Sequence, residues 1–139
     1  MDPVGLLRKW QSLAARTLAD ADDFAIKHGI ASSYGSYEEL VKDDDVELVY
    51  IATPHALHYE HARLCIEHNK PILCEKAFTA NAYEAEVLLN LAENRKVFIT
   101  EAIWTRYMPL SLKIIELVRQ GVIGHPYILT ANLCYPVSK

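Results

Sequence analysis

No apolar run in this 139-residue chain approaches the roughly 18 to 20 residues needed to span a bilayer, which excludes a membrane-spanning helix. The start, MDPVGLLRKWQSLAARTL, lacks the charged, apolar and small-residue order of a secretory signal, so the expected compartment is the cytoplasm. Cysteine is scarce and odd in number. Cys65, Cys74 and Cys134 show no CxxC spacing, which argues against a disulfide framework or structural zinc and leaves three buried apolar fillers. Neither sign of charge dominates locally. The 14 basic and 18 acidic residues are spread along the chain to a net charge of -4, with no basic patch for nucleic acid. Repeats, low-complexity tracts and Ser/Gly linkers are also absent. What remains is a chain of about one domain's length, 51% apolar, able to bury a core.

From residue 46 onward, short apolar runs alternate with longer helical patterns. VELVYIAT (46–53) is β-branched and nearly continuous, as a strand covered on both faces should be. ALHYEHARLCIEH leaves one polar face and reads as a helix, followed by the strand PILCEK. A second helix runs from Asn81 to about Glu93, with Asn81 as N-cap and Glu84 as its capping-box-like partner. The strand KVFITEA and the helix PLSLKIIELVRQG follow, the latter with Pro109 in its first turn and Gly121 at its end. This β-α-β-α-β-α order predicts an α/β fold with a parallel sheet and flanking helices. Upstream, WQSLAAR reads as a strand, DADDFAIKHG as a helix closed by Gly29, and SYEELVKD as a short helix capped by Ser36. PYILTANLCYPVSK alternates loosely and predicts one more strand. The boundary expected within GVIGHP divides the chain into a domain over 1–123 and the first strand of another over 124–139.

A parallel sheet binds ligands at the carboxyl ends of its strands. That rule selects Arg16, Thr53, Pro54, His55, Glu75, Lys76 and the segment Glu101 to Arg106, polar groups that periodicity alone does not require. An ammonium at a strand end over a cleft stays partly solvated and can meet a ligand. The plainer reading of Lys76 is a side chain that snorkels outward and pairs with Glu75. His55, His58 and His61 are spaced by three, but positions 55 and 61 lie about 120° apart on an ideal helix, and no carboxylate or cysteine completes a metal site. No metal is expected. Arg16 reads either as a phosphate contact or as a solvated charge, Trp104 either as core wall or as ligand platform, and Glu101 as a structural pair or helix cap rather than a catalytic base.

Three stretches carry a resemblance: AARTLADADDFAIKHGI, YGSYEELVKDDDVELVYIATPHALHYEHARLCIEHNKPILCEKAFTANAYEAE and FITEAIWTRYMPL. Together they closely resemble the glucose-fructose oxidoreductase and inositol dehydrogenase (Gfo/Idh/MocA) family, in the branch of dihydrodiol dehydrogenase and NADP-dependent xylose dehydrogenase. The resemblance implies a dinucleotide-binding Rossmann-like domain followed by a substrate domain. It also implies hydride transfer between a nicotinamide cofactor and a small hydroxylated substrate, a sugar or a cyclic diol. Glu75-Lys76 stands where the family has Glu-Lys-Pro, with Ala77 in place of proline. By that match Lys76 is the catalytic lysine, contacting the nicotinamide ribose and the reacting hydroxyl, with Glu75 as its partner. Thr53, Pro54 and His58 match the cofactor wall, and Trp104 and Arg106 a segment near the nicotinamide and diphosphate. Arg16 sits where a base would meet a 2'-phosphate, which favours NADP, with NAD as the alternative.

Two features depart from the family pattern. No pair among the five glycines has G-x-G spacing, so the first strand and its Gly-rich phosphate turn are expected to be lacking. The acid-base residue of the substrate domain has no counterpart either. The fold expected is therefore a partial Rossmann-like sheet that ends at the start of a second α/β domain, with unpaired edges that invite homo-oligomerisation. Two functional readings follow. One is an NADP-dependent dehydrogenase impaired as this isolated chain; the other is a non-catalytic fragment acting by self-association or by binding a full-length relative.

Overall fold

The structure, a computed structural model, describes residues 12–132 and 134. It contains two compact units that divide between Ala102 and Ile103, whereas the sequence set its boundary between 123 and 124. Residues 1–11, which include the opening of the predicted strand WQSLAAR and any strand or turn ahead of it, lie outside the described residues.

The first unit alternates strand and helix throughout. Its elements are β1 (Ser12–Ala14), α1 (Leu18–His28), β2 (Ser32–Tyr34), α2 (Tyr37–Lys42), β3 (Val49–Ile51), α3 (His58–Glu67), β4 (Ile72–Cys74), α4 (Ala82–Arg95) and β5 (Ile99–Glu101). β1 and β2 pair in parallel, with Ser12 opposite Ser32 and Ala14 opposite Tyr34. β3, β4 and β5 form a second parallel sheet in chain order. Each parallel pair is joined through a helix, as a parallel crossover requires. α2 touches β1 and β2 and also α3, which links the two sheets.

Local chemistry sets the helix ends. The side chains of Thr17, Ser36 and Asn81 accept from the amides of Asp20, Glu39 and Glu84, satisfying donors that the first turn leaves free. Glu84 answers Asn81, though its carboxylate takes the Ala80 amide rather than that of the cap residue. Gly29 closes α1 at φ 65°, a left-handed conformation that costs glycine nothing. β2 is a strand the sequence reading did not anticipate. Ser-Ser-Tyr has no apolar run, and its extended form comes from pairing with β1.

The core lies between the three-stranded sheet and helices α3 and α4. Ile66, Ile72 and Leu88 are fully buried there, with Ile51, Cys65 and Cys74 beside them and Ala62 and Ala92 keeping the helix faces small. Each large aliphatic side chain so buried contributes roughly 1.5–3 kcal/mol. Cys65 and Cys74 are buried fillers as expected. Cys134 is not, because it is exposed.

The second unit begins with the single turn Trp104–Tyr107 and continues as α5 (Pro109–Arg119), with Pro109 at its first position, where the missing N–H costs nothing. Leu110, Leu112, Ile114 and Ile115 on α5 are all exposed. Residues 124–132 carry no helix or strand, so the strand predicted over 126–139 does not form in that part; residues 133 and 135–139 lie outside the described residues. Among the described residues no helix is long and apolar enough to cross a membrane.

Candidate functional site

The parallel register sets Ile51, Cys74 and Glu101 side by side at the carboxyl ends of β3, β4 and β5. Backbone bonds carry the alignment past the strands: Glu75 N–H donates to Ile51 O at 2.9 Å, and Ala102 N–H to Cys74 O at 2.7 Å. The loop that leaves β4 is then pinned along its length. Phe78 N–H donates to Glu101 Oε1 at 2.9 Å, Thr79 Oγ1 to Asn81 O at 2.8 Å and Ala80 N–H to Glu84 Oε2 at 3.1 Å. The Lys76–Ala77 peptide within this loop is cis. Glu101 thus serves as the structural partner of the Phe78 amide.

Glu75 and Lys76, adjacent in sequence, differ in burial and in partners. The half-buried Glu75 carboxylate accepts from the Tyr50 hydroxyl on β3 and from the Lys76 amide at 3.2 Å. Those two bonds, with the nearby charges of Lys76 and His58 adding to them, hold its pKa below the usual carboxylate value. Glu75 therefore stays ionised at neutral pH. The Lys76 side chain is exposed, and its ammonium makes no hydrogen bond or ion pair among the described residues. Beside this acid, fixed by the half-buried Tyr50, an exposed cation at a strand end can stabilise an anion or a developing alkoxide.

The chain after β3 supplies the other side of the group. Thr53 is half-buried and Pro54 exposed, where the backbone turns into the short helical turn His55–Leu57. Thr53 Oγ1 lies 2.9 Å from His61 Nδ1, and burial pushes the His61 pKa down, so this ring is held neutral as a partner for the hydroxyl. His58 has no exposed surface. Its Nδ1 lies 2.8 Å from Ala77 O and its Nε2 2.8 Å from Thr53 O, so one ring bridges the loops after β3 and β4. With both His58 nitrogens taken, the His55-His58-His61 trio offers no three-ligand metal set.

The structure thus gathers Thr53, Pro54, His58, Glu75 and Lys76 at one sheet edge. Arg16 follows β1, exposed, one residue before the Thr17 cap of α1, at the carboxyl end of the other sheet. Trp104 and Arg106 belong to the second unit, where both are exposed on one turn. Tyr50 is a site residue that sequence reasoning missed, and His61 was weighed there only as part of a metal trio, not as the partner of Thr53. Tyr50 lies within an apolar strand, where nothing local marks a polar role, and the spacing that drew attention to His61 says nothing of a hydroxyl partner on the loop after β3.

The sequence profile of the family described as "Oxidoreductase family, NAD-binding Rossmann fold" matches residues 6–102. Among curated proteins, the NADP(+)-dependent D-xylose 1-dehydrogenase of Hypocrea jecorina is 50% identical over 103 residues, covering 74% of this chain and 26% of that protein. Human trans-1,2-dihydrobenzene-1,2-diol dehydrogenase is 44% identical over 113 residues, covering 81% of this chain and 34% of that protein. Among solved structures, an NAD binding oxidoreductase from Klebsiella pneumoniae superposes with a TM-score of 0.79 at 32% identity, over 83% of this chain and 30% of that one. The chain therefore spans about a third or less of the length of these relatives.

Proposed function

The chain belongs to the oxidoreductase family with an NAD-binding Rossmann fold, and from that membership we propose that the group around Lys76 is the nicotinamide side of a hydride-transfer site. The cofactor is NADP, with NAD as the alternative, and the substrate is a small hydroxylated molecule, a sugar or a cyclic diol. The observation that carries this reading is the exposed Lys76 ammonium on a loop pinned to its neighbours along the carboxyl edge of a parallel sheet. The relatives' names supply the chemistry: one is an NADP(+)-dependent sugar dehydrogenase and the other a diol dehydrogenase.

The residues present fit such a cofactor, because Lys76 and Arg16 are exposed cations at strand ends, where phosphates and a reacting oxygen can be met. When bound, the nicotinamide accepts or supplies the hydride. Lys76 orients the substrate hydroxyl and stabilises its alkoxide character as the hydride leaves the carbon. Glu75 holds a counter-charge beside the ammonium. Thr53 and Pro54 form the wall after β3, and Arg16 takes the 2'-phosphate. The exposed apolar side chains of α5 favour self-association into a homo-oligomer. Three free thiols suit the reducing cytoplasm.

Titration of the purified chain with NADPH, followed by nicotinamide fluorescence, tests this reading. The expected result is saturable micromolar binding that Lys76→Ala weakens without unfolding the chain. Absence of binding at millimolar NADPH in a folded sample would overturn it.

A further inference from the structure

Among the described residues, His58 is the polar side chain that is completely buried, and it lies directly behind the strand-end group. Each of its ring nitrogens is 2.8 Å from a backbone carbonyl oxygen, Ala77 O for Nδ1 and Thr53 O for Nε2. A carbonyl oxygen has no hydrogen to give, and a neutral imidazole carries one N–H only. A neutral ring would therefore press a lone pair against one of the two oxygens. Both contacts are satisfied together only when both nitrogens carry hydrogen.

We infer that His58 is a positioning residue, a doubly donating imidazolium that ties the loop after β3 to the loop after β4 and so fixes how Lys76 is presented at the strand ends. The role at Lys76 rests on the function proposed above; the bridging does not. A buried charge is costly unless it is paired and hydrogen-bonded, and here both N–H groups are used. Of the titratable groups around the ring, Glu75 on the β4 loop is close enough for the His58 charge to lower its pKa. His55, with its ring 5.4 Å away, and His61 on α3 are the groups that would oppose the charge, and His61 is held neutral. Ala77, whose carbonyl takes the Nδ1 bond, directly follows Lys76. Glu75, just before Lys76, is tied to β3 by its own amide and carboxylate; without the His58 bond the residue just after the lysine loses its tie to the loop that follows β3.

Two substitutions separate positioning from mere filling of space. The amide of His58→Asn reaches the place of Nδ1 and keeps the bond to Ala77 O, whereas that of His58→Gln reaches the place of Nε2 and keeps the bond to Thr53 O. The expected result is that the Asn variant binds NADPH within about threefold of the unaltered chain while the Gln variant is weakened about tenfold. Their melting temperatures should lie within about 5 °C of each other. Equal losses of binding in the two variants would overturn the inference. Amide exchange at Phe78, which needs no cofactor, should be faster in the Gln variant than in the Asn variant, and equal rates would count against the bridge. If NADPH fails to bind even the unaltered chain, the proposed function falls, and this exchange comparison still decides the role of His58. Should neither variant fold, nitrogen NMR of the unaltered chain decides the protonation. A hydrogen on both His58 ring nitrogens supports the bridge, and one bare nitrogen refutes it.

Discussion

The Tyr50 hydroxyl, on β3, donates to the carboxylate of Glu75, which follows β4, so a strand tyrosine fixes the acid that stands beside Lys76. The bond moves both groups in opposite directions. The hydrogen bond to Glu75, then burial, then the carboxylate's charge push the Tyr50 pKa up from 10.0 to about 12. The stability this contributes is complete below pH 10.0 and is lost as the pH rises toward about 12. Glu75 is shifted down from 4.5, so its contribution is present above that pH and is lost as the pH falls through the lowered value. Urea midpoints of Tyr50→Phe and the unaltered chain should therefore lie furthest apart between these limits and converge at both ends. A constant offset across the whole range would refute the coupling.

Arg16 stands one residue before the Thr17 cap of α1, exposed and at a strand end. If it takes the 2'-phosphate, Arg16→Ala should weaken NADPH binding by about tenfold, the usual scale for one charge-assisted contact, and leave NADH binding nearly unchanged. Parallel fluorescence titrations with the two cofactors make the comparison. Equal losses for both would assign Arg16 to the shared diphosphate or to the fold.

The cysteines should divide by reactivity. Burial pushes the Cys65 thiol up to about 12, and burial with the charges of Glu101 and Glu75 does the same for Cys74. The thiolate is the reacting form, and Cys134 is exposed. A colorimetric thiol assay should find one fast equivalent in the folded chain, absent in Cys134→Ser, and all three on unfolding. Two fast equivalents in the folded state would mean that the sheet core opens readily.

Helix ends and strand ends were legible where the cause is local. Ser36, Asn81, Gly29 and Pro109 each act within a turn of their own position, so their chemistry can be read directly, and Lys76 follows an apolar run that marks a strand end. β2 was illegible because Ser-Ser-Tyr is extended only by virtue of β1. Tyr50 meets an acid 25 residues on, and His58 meets a carbonyl 19 residues on. Nothing near either one announces the partner. The resemblance set His58 on a cofactor wall, whereas its complete burial puts the loops it joins, rather than the ring, against solvent.

Lys70 illustrates the same limit and yields a stability prediction. Just ahead of β4, its half-buried ammonium donates to Asp43 O at 2.6 Å and to Val46 O at 3.0 Å, closing the connection between α2 and β3 from 27 and 24 residues away. Asp43 is the C-cap of α2, so this cation also faces the negative end of that helix. Lys70→Met keeps most of the aliphatic stem but leaves two carbonyls without their donor, which should cost about 1–3 kcal/mol in urea unfolding. Lys42→Met removes the same charge from the exposed last turn of α2 and should cost less than about 1 kcal/mol. The difference between the two variants isolates the carbonyl contacts from the helix-end charge. Equal losses would mean that Lys70 acts through charge alone and that the connection into β3 closes without it.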